Sequence, residues 1–414
     1  MTGAPSPRIL VLDDDTTMLQ LLSRKLADRG FTQVTVCTDG HDALQQLDHP
    51  DGPPDLIVSD LNMPKMDGAE FVRKLGERGY SGSLILMSGE NDERVLRSAT
   101  ILVQAHRMTL LGHLTKPFPR DTLAELLRKW SPPQQGQPLA ADRTYSAGEL
   151  GAAMTRGELV NHYQPQVAVA SGRVVAVETL VRWRHPADGM VLPDQFIGVA
   201  EESGLIDELT RIVLAAALTH ARVWQQEESG LRIAVNLSME NLISLDFPDF
   251  VAGQAVAAGV APASVVLEVT ESRLMRDLRV PLEILTRLRM KGFHLSIDDF
   301  GTGHSSLAQL RDLPFDELKV DQGFVHRACA DSTVRAIFEA SLGLATQLGM
   351  AAVAEGVEDR DDWNFLRTTG CDFAQGFFIG RPMPAADLPA WMEDWRARAR
   401  HEVAAERPPE QSSR

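Results

Sequence analysis

The sequence predicts an α/β protein in two units: a doubly wound parallel sheet of five strands, then a (β/α)8 barrel of the TIM type. Three observations predict it. Residues 8–130 alternate strand-length apolar runs with helix-length ones. Residues 131–142 (SPPQQGQPLAAD) are rich in Pro, Gln and Ala and lack an apolar period, which marks a linker. Beyond it, apolar runs end one after another on a polar or ionisable residue. Glu178 closes VVAVE, Asn236 closes RIAVN, Glu268 closes VVLE, Asp298 and Asp299 close FHLSIDD, Lys319 and Asp321 sit in ELKVD, and Glu355 closes AAVAE. Such a rhythm collects side chains from strand after strand at one mouth of a barrel.

In the first unit RILVL, TVCT, PDLIVSD, SLILMS and MTLLGHLT supply the strands. A helix from about Thr16 to Arg29, GHDALQQLD and DTLAELLRKW are among the helices between and after them. The second unit runs to about Trp395, and the tail from Arg396 starts helically before ending in RPPEQSSR, which reads as disordered. The division expected is residues 1–130, a linker over 131–147, a barrel over 148–395 and a charged tail over 396–414.

Composition narrows the function. Hydrophobic content of 44% and charged content of 24% are ordinary for a soluble protein, and a net charge of -16 argues against binding to DNA or a membrane surface. Cys37, Cys329 and Cys371 are far apart and match no metal-ligand spacing or disulfide framework, as expected of reduced thiols in the cytoplasm. No export signal and no run of 18 apolar residues is expected.

Asp13 and Asp14 follow the first strand and Asp60 ends the third, so an open parallel sheet brings all three to one edge. Three carboxylates can hold a magnesium ion while the least committed one acts as nucleophile. Ser88 could bond a phosphoryl oxygen and Lys116 could pair with the added charge. A lone aspartate at a strand end is usually a helix cap, but five such residues in this order are not so explained. The pieces LVLDDDTTM, IVSDLNMPKMDG, LILMSG and LTKPF resemble a response-regulator receiver domain, of flavodoxin-like fold. The resemblance implies that Asp60 is the phosphoacceptor and that Asp13, Asp14 and the Asn62 carbonyl bind magnesium. It makes Ser88 the switch hydroxyl and Lys116 the phosphate-sensing lysine, and it implies a sensor histidine kinase as partner. It places His113 where such domains usually carry a switch aromatic, after a segment from Ser88 longer than the family norm.

In the second unit, adjacent Asp298 and Asp299 would point opposite ways along an ideal strand, but both can reach one mouth where the backbone turns. A bridging aspartate is a standard device for placing two divalent ions about 3.5–4 Å apart. The oxygen-only set favours magnesium or manganese over zinc. Lys319 is a cation among acids, able to orient water or stabilise phosphate charge, and Asp321 follows on its face by alternation. Arg182 could grip a phosphate oxygen. GTGHSS, from Gly301 to Ser306, reads as a mobile turn beside the metals.

The segments YQPQV, VVAVETLVRW, LPDQFIGVAEESGLI, VNLS, LEVTES, LSIDDFGTGHSSL, LKVD, AEGVE and AQGFFIGRP resemble an EAL-type cyclic di-GMP phosphodiesterase domain. The resemblance implies a modified barrel with one strand running against the others, and two-metal hydrolysis of cyclic di-GMP to 5'-pGpG. It assigns Glu178, Asn236, Glu268 and Asp298 to one magnesium or manganese ion, and Asp298 with Asp299 to a second. Glu355 lies near that second ion or the hydrolytic water, with Lys319 on the water side. Asp321 and Gln375 become supporting pocket residues, Gln164 and Arg182 substrate contacts, and Glu271 the anchor of the DDFGTG loop. A homodimer or homotetramer is expected. Thr179 departs from the family's Glu-Ala-Leu signature; it should face away from Glu178 and remove no ligand. The rival expectation is a silent cyclic di-GMP receptor signalling through protein contacts, and a third is a scaffold acting mainly through the receiver face.

Overall fold

A computed structural model describes residues 7–49, 52–89, 93–106, 108–119, 122–130, 144–228, 230–270, 279–301 and 307–404. Most of the expected linker, the tail beyond Ala404, Glu271 and residues 302–306 of the glycine-rich turn lie outside them. The chain parts into two compact units, Met1–Pro138 and Leu139–Arg414.

The first unit holds β1 (Ile9–Leu12), α1 (Thr16–Ala27), β2 (Val34–Cys37), α2 (Gly40–Gln45), β3 (Leu56–Asp60), α3 (Gly68–Glu77), β4 (Ser83–Gly89), α4 (Glu93–Ala105), β5 (Thr109–Lys116) and α5 (Thr122–Lys129). Its strands form one parallel sheet in the order β2-β1-β3-β4-β5. Strand alternation divides the core between the two faces. Leu10, Leu12 and Ile57 pack with Phe71 and Leu75 of α3 and Val103 of α4, while Ile9, Val11 and Val58 pack with Leu22 of α1 and Leu123 of α5. Burial on both faces is why the central strands read as unbroken apolar runs.

The second unit holds α6 (Ala147–Arg156), β6 (Leu159–Ala168), β7 (Val174–His185), β8 (Gly189–Val191), α7 (Ile197–Glu202), α8 (Ile206–Glu227), β9 (Arg232–Leu237), α9 (Phe247–Ala258), β10 (Val265–Thr270) and α10 (Arg279–Met290). It continues with β11 (His294–Phe300), α11 (Leu307–Asp312), β12 (Glu317–Val320), α12 (Gln322–Val325), α13 (Ser332–Leu348), β13 (Ala351–Ala354), α14 (Arg360–Thr369), β14 (Phe373–Gln375), β15 (Met383–Pro384) and α15 (Leu388–Ala404). Pairing runs β6-β14-β13-β12-β11-β10-β9-β7, and a β6–β7 ladder closes the ring. All these neighbours are parallel except those of β6, which is antiparallel to both β7 and β14. The first residues of the expected tail continue α15 past Trp395: Ala399 and Glu402 are buried, and Glu402 pairs with Arg360 at 2.7 Å.

At the other end of the barrel Arg232 opens β9 and binds Glu317, which opens β12. The Glu317 side chain is only 3% exposed, so Arg232→Ala leaves a buried carboxylate without its cation. We expect a loss of about 3 kcal/mol in the unfolding free energy of this unit, read by urea denaturation with tryptophan fluorescence.

Candidate functional site

The eight barrel strands present their C-terminal ends, or in β6 the antiparallel equivalent, to one mouth. Glu178 is not at the end of its strand as expected: β7 continues to His185. What ends near Glu178 is the β7–β9 pairing, whose last register pair is Thr179 with Val235. Glu178 therefore sits where β7 leaves the ring, and Arg182 follows on the same face of the projecting ribbon, donating to the Val181 carbonyl at 2.9 Å.

Asp298 and Asp299 reach the mouth together because the backbone changes hand. Asp299 has φ 56°, and the β11–β12 register shifts between Ile297 and Phe300. An irregularity of this kind re-aims a side chain. Carboxylate oxygens of Glu178, Glu268 and Asp298 lie within 4.8 Å of one another, as do those of Asp298, Asp299 and Glu355. Asp298 belongs to both sets.

Lys319, 1% exposed, stands among them. Its ammonium lies 2.8 Å from Glu355, 3.0 Å from Asp298, 3.1 Å from Glu268 and 3.7 Å from Glu178. Burial alone would lower the lysine pKa, yet the four carboxylates hold it well above the usual value. Burial drives the carboxyls of Glu268 and Glu355 upward against the pull of Lys319. Asp299 is pushed up to about 6 by burial and by Asp298 and Asp321. One ammonium facing four acids leaves an excess of negative charge, and Glu268 Oε1 is buried without a hydrogen-bond partner. An oxygen-rich, over-acidic set with a shared aspartate fits two hard divalent cations.

Amides fix the rest. Glu178 accepts from Asn236 Nδ2 at 2.8 Å and from Gln375 Nε2 at 2.5 Å. Gln375 also donates to Gln164 Oε1 at 3.1 Å and accepts from Gln166 Nε2 at 2.8 Å, while Gln164 donates to the Gly380 carbonyl at 3.1 Å. Gln166 was missed in the sequence, although alternation along YQPQV puts it on the face of Gln164. Asp321 lies just past β12, so alternation does not place it. It caps α12 by accepting from Gly323 N at 2.8 Å, and its charge acts on Asp299. A cleft of about 710 Å³ opens beside the acids, bounded by Glu178, Asn236 and Asp298 and by Leu180, Asp194 and Ile197.

Thr179 is 2% exposed and its hydroxyl is buried without a partner. Thr179→Val replaces that hydroxyl with a methyl of similar size. We expect a gain of about 1 kcal/mol in stability by denaturant titration, with metal binding kept.

In the first unit, carboxylate oxygens of Asp13, Asp14 and Asp60 lie within 4.8 Å of one another. The helix cap at this edge is Asp15, which accepts from Thr17 N at 2.8 Å and so spares Asp13 and Asp14. Lys116 Nζ lies 2.7 Å from both Asp13 and Asp60. Burial raises the Asp60 pKa despite that lysine. The Asn62 backbone N–H donates to Asp60 Oδ2 at 3.2 Å, and the Ser88 hydroxyl is buried without a partner. A Cβ on Gly68 would come within 2.7 Å of the Asp60 carbonyl oxygen, so the loop can fold back over the strand end only with glycine there. His113 is exposed on β5, with Nε2 3.4 Å from Thr100 Oγ1 of α4.

A five-stranded doubly wound unit with an acidic edge, and a barrel with one reversed strand and an acidic mouth, define a receiver joined to an EAL-type barrel. The chain belongs to the EAL domain family, whose sequence model matches residues 147–382, and it carries a response regulator receiver domain, matched over residues 9–128. It is 32% identical over 379 residues to the cyclic di-GMP phosphodiesterase RocR of Pseudomonas aeruginosa, covering 91% of this chain and 96% of that one. It is 42% identical over 241 residues to the bifunctional diguanylate cyclase/cyclic di-GMP phosphodiesterase MucR of the same organism, covering 58% of this chain. The match spans only 35% of MucR's own length. A solved structure of the MucR phosphodiesterase in complex with c-di-GMP superposes with a TM-score of 0.56 at 42% identity, over 58% of this chain and 98% of that one. Among the described residues no helix is long and apolar enough to cross a membrane.

Proposed function

We propose that the chain hydrolyses one phosphodiester of cyclic di-GMP to linear 5'-pGpG, under the control of phosphorylation at Asp60. The observation that carries this reading is the pair of carboxylate clusters sharing Asp298. The full-length similarity to RocR supports it. Glu178, Asn236, Glu268 and Asp298 would hold one magnesium or manganese ion, and Asp298 and Asp299, beside Glu355, a second. Two such ions supply Lewis acidity toward a phosphodiester and lower the pKa of water.

The chain's own groups do the rest. Glu355, at 2.8 Å from Lys319, is the carboxylate set to take a proton from the attacking water. The Lys319 ammonium steadies Glu355 and offsets charge on the reacting phosphate. Asn236 and Gln375 hold both oxygens of Glu178 in place. Gln164 keeps Gln375 oriented and borders the substrate, and Arg182 reaches toward a phosphate oxygen from the projecting ribbon.

In the first unit Asp13, Asp14 and the Asn62 carbonyl would hold magnesium beside Asp60. Asp60 takes the phosphoryl group from the phosphohistidine of a sensor histidine kinase, whose imidazole is the leaving group. Ser88 then bonds a phosphoryl oxygen, Lys116 pairs with the added charge, and His113 relays the change. The enzyme works in the cytoplasm as a homodimer or homotetramer.

The test is chromatographic detection of 5'-pGpG from the full-length chain in magnesium or manganese, with and without beryllium fluoride. We expect product, and a rate that changes about fivefold or more with the phosphoryl mimic. That change should vanish in Asp60→Asn. Binding of cyclic di-GMP without product would favour the receptor reading instead.

A further inference from the structure

We propose that Ser296 is a positioning residue for the Glu268 carboxylate and, through it, for cation binding at the barrel mouth. The inference rests on Glu268 being a cation ligand. Ser296 lies on β11 two residues before Asp298, and the parallel register sets it beside Glu268 of β10. In-register neighbours on parallel strands project from the same face of the sheet, and the face of Glu268 is the barrel lumen. Both residues are buried, Ser296 at 0% and Glu268 at 1% exposure.

Their polar atoms are unmatched in a complementary way. Lys319 reaches Glu268 Oε2 at 3.1 Å, but Oε1 has no hydrogen-bond partner, and neither has Ser296 Oγ. A carboxylate oxygen accepts and a hydroxyl donates, so the two need each other, directly after a rotamer change or through one bridging water. The in-register neighbour of Ser296 on its other side, Glu317, is already bound by Arg232.

The comparison with Glu178 shows what Ser296 adds. Both oxygens of Glu178 are held by amide donors, from Asn236 and Gln375. Groups behind a ligand fix its direction, and their loss weakens cation binding without touching the cation. Ser296 gives Glu268 the second donor that Glu178 already has. Its closeness to Asp298 in sequence ties the support of one ligand to the strand that carries the shared one.

The experiment titrates manganese into the metal-free, full-length chain and reads the free ion by electron paramagnetic resonance. An Asp13→Ala background removes the receiver's contribution. Ser296→Ala should weaken manganese binding about tenfold or more, with an unchanged near-ultraviolet circular dichroism spectrum. Ser296→Thr, which keeps the hydroxyl, should recover most of that loss. For the alanine variant, cyclic di-GMP turnover should return to the parent's value at saturating manganese. Equal affinity in parent and Ser296→Ala would overturn the inference, as would Ala and Thr variants weakened alike. If the parent binds no manganese that Glu268→Ala abolishes, the reading of Glu268 as a ligand falls too, and with it this inference.

Discussion

Replacing Asp298 with alanine is expected to lower cyclic di-GMP hydrolysis by at least about a thousandfold and to remove two bound cations, not one. The reason is its place in both carboxylate sets. Glu178 and Glu268 belong to one set only, and Asp299 and Glu355 to the other. Glu178→Ala should therefore reduce the manganese stoichiometry of the barrel by one and leave the Asp298–Asp299–Glu355 set able to load. Asp298→Ala should leave neither. Counting manganese per chain in an Asp13→Ala background, alongside turnover, separates these outcomes. A loss of one ion from Asp298→Ala would refute the shared role, whatever happened to the rate.

Much of this site was legible in the sequence because it depends on strand periodicity. VVAVE, VVLE and AAVAE each carry their own acid, and a parallel barrel has one place to send them. The two adjacent aspartates were legible only in part. Alternation would have sent Asp298 and Asp299 to opposite faces, and the left-handed backbone at Asp299 that reunites them depends on the β11–β12 register shift. Asp321 misled for a related reason: β12 ends one residue earlier, so a residue read as part of the strand is a helix cap. The least legible features are pairings across long sequence separations. Gln166 meets Gln375, and Arg232 meets Glu317, only because β6 runs antiparallel beside β14 and the ring closes. No local pattern in a single strand records where its partner falls. In the first unit the spacing of acids gave the edge of the sheet correctly, and local capping chemistry explains why Asp15, not Asp13 or Asp14, was consumed by α1.

The other large effect concerns Lys319, where two expected changes have opposite signs. Its ammonium lies within 3.1 Å of three carboxylates that, on the proposed reading, would hold cations or border them, so it would compete with those cations for the same negative charge. A unit charge pair at this separation is worth about 5 kcal/mol at an effective dielectric near 20. Lys319→Met removes that competitor at similar volume. Manganese affinity should rise about tenfold or more, while turnover at saturating manganese falls about a hundredfold or more because the charge beside the reacting phosphate is gone. Without divalent ions, the same variant buries four acids with no counter-charge and should lose about 3 kcal/mol of stability. Saturating manganese should return that stability, since a ligand bound only by the folded state adds about 2.7 kcal/mol at a hundred times its dissociation constant. Denaturant titrations with and without manganese, paired with the binding titration, test all three signs together. A variant that bound manganese more weakly than the parent would show that Lys319 organises the ligands more than it repels the ions.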